Sequence, residues 1–162
     1  MSDRSSVLGD LGRRDWTRII LSTQVVVSGF AVMALEILGS RLIIPVYGSS
    51  TFTWGSIIGV VLAALAVGYH YGGRLADKHP RREVFSLIIF AGGLLVVLLP
   101  FVTPFALAFS LDLNLGTQYG PLLATTLVLA FPTAVLGMVS PFAIKIVAKD
   151  ISALGKASGN LY

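Results

Sequence analysis

The stretch FTWGSIIGVVLAALAVGYHYGGRL, from Phe52 to Leu75, decides the fold class of this chain. It begins near Phe52 or Trp54, ends near Leu75, and meets its first formal charge only at Arg74. About 20 apolar residues carry a helix across the hydrocarbon core of a bilayer. The stretch therefore predicts a transmembrane helix over 53–75, with Trp54 where an indole ring favours the membrane interface. Its glycines include two pairs, Gly55 with Gly59 and Gly68 with Gly72, each spaced G-x-x-x-G, with Ala63 and Ala64 between them. That spacing lets a second backbone approach closely. The expected use is packing against the first helix of the same chain; a dimerisation face forming a homo-oligomer is the alternative.

Three further apolar runs surround this one. The run from Ile19 to Ile44, interrupted by Glu36 and Arg41 and closed by Pro45, predicts a first span over 19–45. A short loop of Pro45, Gly48, Ser49 and Ser50 follows, since proline and glycine continue a helix poorly. Val84 to Phe109 predicts a third span, 84–109, kinked or broken in its second half by Pro100 and Pro104, and the polar stretch Ser110 to Gln118 supplies the next turn. Tyr119 to Val147 predicts the fourth span, 119–147. Its length of nearly thirty residues, with Pro121 in the first turn and Pro132 and Pro141 beyond, implies a tilted or kinked helix. Residues 1–18 form a polar N-terminal segment, and 148–162 a tail or the start of a further helix. With no small-x-small cleavage site before a polar mature start, the first span is expected to stay as a signal anchor.

Composition agrees with this pattern. Of 162 residues, 55% are hydrophobic and 12% charged, with a mean hydropathy of +0.84; a soluble domain carries about twice that charged fraction. The fold class is all-α, an integral membrane bundle of four transmembrane helices whose chief partner is the lipid bilayer. Eleven basic residues fall on one side of the alternating loops: Arg4, Arg13, Arg14, Arg18, Arg74, Lys78, Arg81, Arg82, Lys145, Lys149 and Lys156. Only Arg41 falls on the other. By the positive-inside rule both termini are cytoplasmic, in a multi-pass protein of the plasma membrane. The net charge of +4 thus marks topology rather than a nucleic-acid partner. The absence of cysteine excludes disulfides, thiolate nucleophiles and cysteine-bearing metal sites.

Few residues are placed to do chemistry. Glu36 lies about 26 Å along the first helix from Ile19, and a carboxylate inside a span usually faces a partner or a cavity. With Ser40 and Arg41 it defines a candidate polar pocket near the outer surface. Three uses are open: a buried contact between Glu36 and Arg41 or from each to neighbouring helices, a pocket for a cationic or zwitterionic solute, or snorkelling of both groups to the interface. His70, between Tyr69 and Tyr71, belongs to the other leaflet and is expected to anchor rather than catalyse. Gly72-Gly73-Arg74 follows a membrane helix and lacks the spacing of a phosphate loop. No metal cluster, cofactor motif, Ser-His-Asp arrangement or carboxylate pair can be assembled, so no catalytic residue is expected.

Two resemblances follow from longer motifs. Gly73-Arg-Leu-Ala-Asp77-Lys78-His-Pro-Arg81-Arg82 is similar to the loop between helices two and three of major facilitator transporters, with Pro80 where that pattern has glycine. It marks Gly73, Asp77, Lys78, Arg81 and Arg82 as a cytoplasmic loop motif. A broader set comprises Ala34-Leu-Glu36-Ile-Leu-Gly39-Ser40-Arg41, Pro45-x-x-Gly48-Ser49-Ser50, Trp54, Gly59-Val-Val-Leu-Ala-Ala, Gly68-Tyr69, Gly72-Gly73-Arg74-Leu75-Ala76-Asp77 and Pro132-Thr-Ala-Val-Leu-Gly137-Met-Val-Ser140-Pro141-Phe-Ala-Ile. Together these resemble the membrane part of spermidine-synthase-like proteins, in which several helices precede an aminopropyltransferase-type domain.

The second resemblance implies an anchor that presents a polyamine or related substrate to a cytoplasmic aminopropyltransferase-type domain. The family's catalytic half is Rossmann-like, with a glycine-rich turn and acidic residues that hold the polyamine and decarboxylated S-adenosylmethionine. None of that stands in these 162 residues, so transferase activity is expected in a further domain rather than here. Gly155 to Tyr162 looks like the entry to the family's next helix, and the chain is expected to be the front part of a longer protein. The alternatives are half of a facilitator-like transporter for a polyamine or other small solute, and a structural, self-associating bundle.

Overall fold

The computed structural model describes the backbone of residues 2–159 and the side chains of residues 16 and 19–149. Among the described residues every regular element is helical: α1 (Ser2–Tyr47), α2 (Thr51–Lys78), α3 (Arg82–Asp112), α4 (Gly116–Thr125), a π turn (Thr126–Ala130), α5 (Phe131–Gly137) and α6 (Val139–Gly159). Four stretches are long and apolar enough to cross a membrane: Ile19–Tyr47, Thr51–Lys78, Arg82–Asp112 and Gly116–Lys149. The chain is therefore an all-α bundle of four membrane-spanning helices. An even number of crossings puts Ser2 and Gly159 at one end, the terminal end, with the turn at residues 79–81. Turns at residues 48–50 and 113–115 mark the opposite, hairpin end.

Each helix outlasts the apolar run that announced it, because hydropathy records the bilayer whereas the backbone ladder continues into polar flanks. Residues 2–18 are helical and run on into the first span, whose membrane-crossing stretch begins at Ile19. Their basic side chains Arg4, Arg13, Arg14 and Arg18, like that of Lys156, lie outside the described residues, as do Asn160 to Tyr162. Pro45 does not close α1. It lies inside the last turn of the helix, and the chain turns at Gly48, whose φ of +79° glycine adopts without strain. Ser50 then caps α2, its hydroxyl accepting from the Thr53 N–H at 3.2 Å.

The charged stretch from Arg74 to Glu83 is mostly helical rather than loop. α2 runs to Lys78 and α3 starts at Arg82, leaving a turn of three residues. On the hairpin side, Ser110 lies inside α3, and the turn narrows to residues 113–115 with Asn114 at φ +47° and Gly116 at φ +70°. Since α4 starts at Gly116, Pro121 falls in its second turn rather than its first.

Span four is broken, and its prolines say where. A proline offers no N–H, and its ring crowds the carbonyl four residues back. Four before Pro132 is Val128, in the middle of the π turn. Four before Pro141 is Gly137, the last residue of α5, where the Met138 N–H shortens its reach to the Val135 carbonyl at 3.1 Å. α3 carries Pro100 and Pro104 and is continuous through both, so of the expected kink or break there is no break.

This broken helix occupies the centre. Half of its most apolar window is buried, against 22%, 39% and 17% for the first three spans. α2 and α3 flank span four without packing against each other, and α1 touches all three. One apolar core fills the terminal half, with Phe142 stacked on Phe85 at 5.9 Å and closed by Leu21, Ala76 and Ile146. A second fills the hairpin half around Ile43, Ile57, Val128 and Leu129.

A stripe of small residues joins α2 to the centre. Ser56, Val60, Ala64, Gly68, Gly72 and Ala76 recur every fourth residue and all are buried, the pattern of right-handed close packing. A Cβ on Gly68 would collide with the Ala134 carbonyl oxygen and come 3.1 Å from Gly137 Cα; one on Gly72 would lie 2.6 Å from Met138 Cα. The second glycine pair therefore packs on span four, not on helix one. Gly55 and Gly59 are exposed, with nothing within 4 Å of a Cβ on either. Thirteen residues separate Gly55 from Gly68, so the two pairs lie about 140° apart around the helix.

Candidate functional site

The chemistry-bearing side chains concentrate at the terminal end. α2 stops at Lys78 because His79 precedes Pro80, which disfavours helical torsions in the residue before it; His79 has φ −136° and ψ 70°, and its N–H bonds the Leu75 carbonyl at 2.9 Å. Arg81 precedes α3 without a side-chain cap, and Glu83 sits in the first turn, where a negative charge suits the helix dipole. The close approach at Gly72 brings α2 beside the descending fourth span. There the Lys145 Nζ meets the Asp77 carboxylate at 2.5 Å. Both side chains are more than half exposed, 52% and 60%, so the pair orients two helix ends and contributes under about 1 kcal/mol.

Of the loop motif, Gly73 is half-buried, while Asp77, Lys78, Arg81 and Arg82 are exposed. Arg81, Arg82, Glu83 and Val84 line an open recess of about 540 Å³. Sequence reasoning missed Lys145 as the partner of Asp77. No local pattern links two residues 68 positions apart; only the seam between Gly72 and Met138 brings them together.

The three residues of the expected polar pocket do not form one polar cluster: Glu36 and Ser40 are one turn apart on the same side of α1, and Arg41 turns away from Glu36. Ser40 is buried, but its hydroxyl donates to the Ile37 carbonyl of its own helix at 2.7 Å. Glu36 is half-buried and Arg41 exposed. Their five-residue spacing turns them about 140° apart, and among the described residues no ion pair joins them. Polar contact at the hairpin end lies elsewhere: the Tyr47 hydroxyl and Ser110 Oγ are 2.7 Å apart, tying α1 to α3. Because Ser110 spends its proton on the Leu107 carbonyl at 2.8 Å, Tyr47 is the donor. A cavity of about 210 Å³ lined by Tyr47, Ser110, Asn114 and Thr117 opens beside them. Placing Ser110 in a loop hid this contact.

Inside the spans, hydroxyls turn back on their own helices, as they do where no water is at hand. Ser28, Ser56, Thr103 and Thr125 each donate to a carbonyl three or four residues earlier. Thr133 is the exception: fully buried, with Oγ1 unpartnered among the described residues. The carbonyl four residues before it belongs to Leu129, inside the π turn. His70 is exposed and meets Tyr71 edge-on at 5.5 Å. No group of three His, Asp or Glu side chains among the described residues is placed to hold a metal ion.

Comparison of the chain with protein-family models, with curated proteins and with solved structures finds no match.

Proposed function

We propose that this bundle is the membrane module of a spermidine-synthase-like protein of the plasma membrane, holding an aminopropyltransferase-type domain against the cytoplasmic face at its terminal end. The observation that carries the proposal is the meeting of resemblance blocks from two different spans. Gly68, of the block Gly68-Tyr69, and Gly72, of the block Gly72 to Asp77, lie on Ala134, Gly137 and Met138 of the block that starts at Pro132, so residues that resemble the family far apart in sequence form one packing unit. Both termini leave the membrane on the side richest in Lys and Arg, where a cytoplasmic domain would attach.

An anchor is favoured over a carrier by the filling of the centre. Span four places Val128, Leu129, Val139 and Phe142 there, each at most 1% exposed, and all but one of the buried hydroxyls among the described residues are engaged. A carrier would use the Glu36 and Arg41 region as its solute site and the Asp77 end of α2 with the turn after it as a gate. The self-associating bundle draws support from one specific feature, the open face at Gly55 and Gly59.

A flotation experiment separates these. Vesicles carrying the chain with its terminal end outward are mixed with a soluble aminopropyltransferase-type domain and centrifuged. Co-flotation with these vesicles, and not with vesicles of opposite orientation, is expected; its absence rejects the anchor. Uptake of labelled polyamine that Glu36→Gln abolishes would establish the carrier instead, and an oligomer dispersed by Gly59→Leu would establish self-association.

A further inference from the structure

We propose that the flank of α2 beside span four binds an anionic phospholipid, with Arg74 and Lys78 holding the headgroup and an apolar furrow at mid-span holding the acyl chain. The furrow has a volume of about 540 Å³, and its walls include Ala63, Ala64 and Val67 on α2 and Leu127, Ala130 and Phe131 on span four. At 100° per residue, Val60, Ala63, Ala64, Val67, Tyr71, Arg74 and Lys78 share one stripe of α2 about 100° wide. One face of one helix thus runs from an apolar groove, past an exposed tyrosine, to two exposed cations.

The depths match one leaflet. Ala64 is at the middle of the 28-residue α2. Along the axis Arg74 lies about 15 Å from it and Lys78 about 21 Å. Half the hydrocarbon core measures about 15 Å, and half the bilayer with its headgroups about 20–22 Å. Arg74 therefore stands at the hydrocarbon boundary and Lys78 among the phosphates. Tyr71, between furrow and cations, is the kind of side chain that prefers the interface.

Charge selects the headgroup. Asp77, the acid nearest these cations in sequence, is engaged by Lys145. Arg74 and Lys78 have no ion-pair partner among the described residues, and beyond the Asp77–Lys145 pair the terminal end carries Arg81, Arg82 and Lys149 against Glu83. A phosphate with no compensating ammonium complements this surface better than a zwitterionic headgroup. A second copy seated in the furrow in parallel would bring its own Arg74 and Lys78 against the first pair, so like charge argues against that occupant.

Native mass spectrometry of the whole chain, released from micelles doped with lipids of one acyl composition, tests this. Phosphatidylglycerol is expected to be retained in preference to phosphatidylcholine, and soluble glycerol phosphate not at all. Arg74→Gln with Lys78→Gln should lower the apparent affinity for phosphatidylglycerol by about thirtyfold; the charge-conserving swap Arg74→Lys with Lys78→Arg should keep it. Ala63→Phe, at an exposed position, should fill the furrow and abolish retention with the charges intact. Equal retention of the two lipids overturns the proposal. So does an effect of Arg81→Gln as large as that of the double variant, which would mean a diffuse basic surface, and so does unchanged retention by Ala63→Phe. Retention of glycerol phosphate alone would assign the cations to a soluble phosphate and reject the lipid.

Discussion

A single methyl group at Gly68 tests the packing on which the bundle depends. An alanine Cβ there would overlap the Ala134 carbonyl oxygen and lie 3.1 Å from both the Ala134 carbonyl carbon and Gly137 Cα. Carbon atoms settle at about 3.5–4.0 Å, and all three obstacles are backbone atoms that no rotamer change can move. α2 must therefore retreat from span four by roughly half an ångström or more, and a gap of that size forfeits about a quarter of each contact's attraction. Close packing is the main force between helices in lipid, where burial against water is not available. Overpacking of this kind costs about 1–3 kcal/mol. The matched control is Gly59→Ala, where nothing lies within 4 Å and the better helix propensity of alanine adds about 0.5–1 kcal/mol. Unfolding of the purified chain in mixed micelles of rising dodecyl sulfate content, followed by helicity, should place Gly68→Ala well below wild type and Gly59→Ala at or above it. Equal midpoints for the two variants would refute the assignment of the seam.

Three further outcomes are expected in the same assay. Thr133→Val keeps the shape of the side chain and removes a buried hydroxyl with no partner, so it should stabilise by about 1 kcal/mol; a comparable loss would mean that the hydroxyl has a partner. Tyr47→Phe deletes the donor to Ser110 and should cost about 0.5–1.5 kcal/mol, with faster amide exchange confined to the hairpin end as its signature. Asp77→Asn breaks the exposed pair with Lys145 and should cost less than about 1 kcal/mol, a difference that fades as salt screens it.

The number and order of spans were legible because apolar runs of helical length admit few alternatives in a bilayer. Boundaries were not, for hydropathy is blind to a helix that continues beyond its apolar run, as α1 does before Ile19 and α2 does from Ala76 to Lys78. The small-residue seam was half legible: the glycine spacing was visible, but Gly55 with Gly59 and Gly68 with Gly72 read as one feature until their angular separation assigned them to different faces. The polar residues were least legible. Glu36 and Arg41 are close in sequence, yet five residues along a helix turn their side chains about 140° apart. The contacts that formed, Tyr47 with Ser110 and Asp77 with Lys145, join positions 63 and 68 residues apart.

Why the most irregular helix should be the central one follows from the solvent. Proline frees a carbonyl wherever it interrupts a helix, and in hydrocarbon a freed polar group has no water to turn to. Non-helical backbone is tolerated at membrane depth only where protein surrounds it. Four of the prolines show this division, whereas Pro121 is buried in α4 without a break. Pro100 and Pro104 are exposed on α3, and that helix stays continuous; Pro132 is buried and Pro141 half-buried, and span four widens or breaks four residues before each. Two interruptions in one span thus require that span to be wrapped by the others, with α1, α2 and α3 supplying the cover. The small residues of α2 serve the same end, because Gly68 and Gly72 bring a second backbone against the chain around Gly137, where the fourth helix changes course.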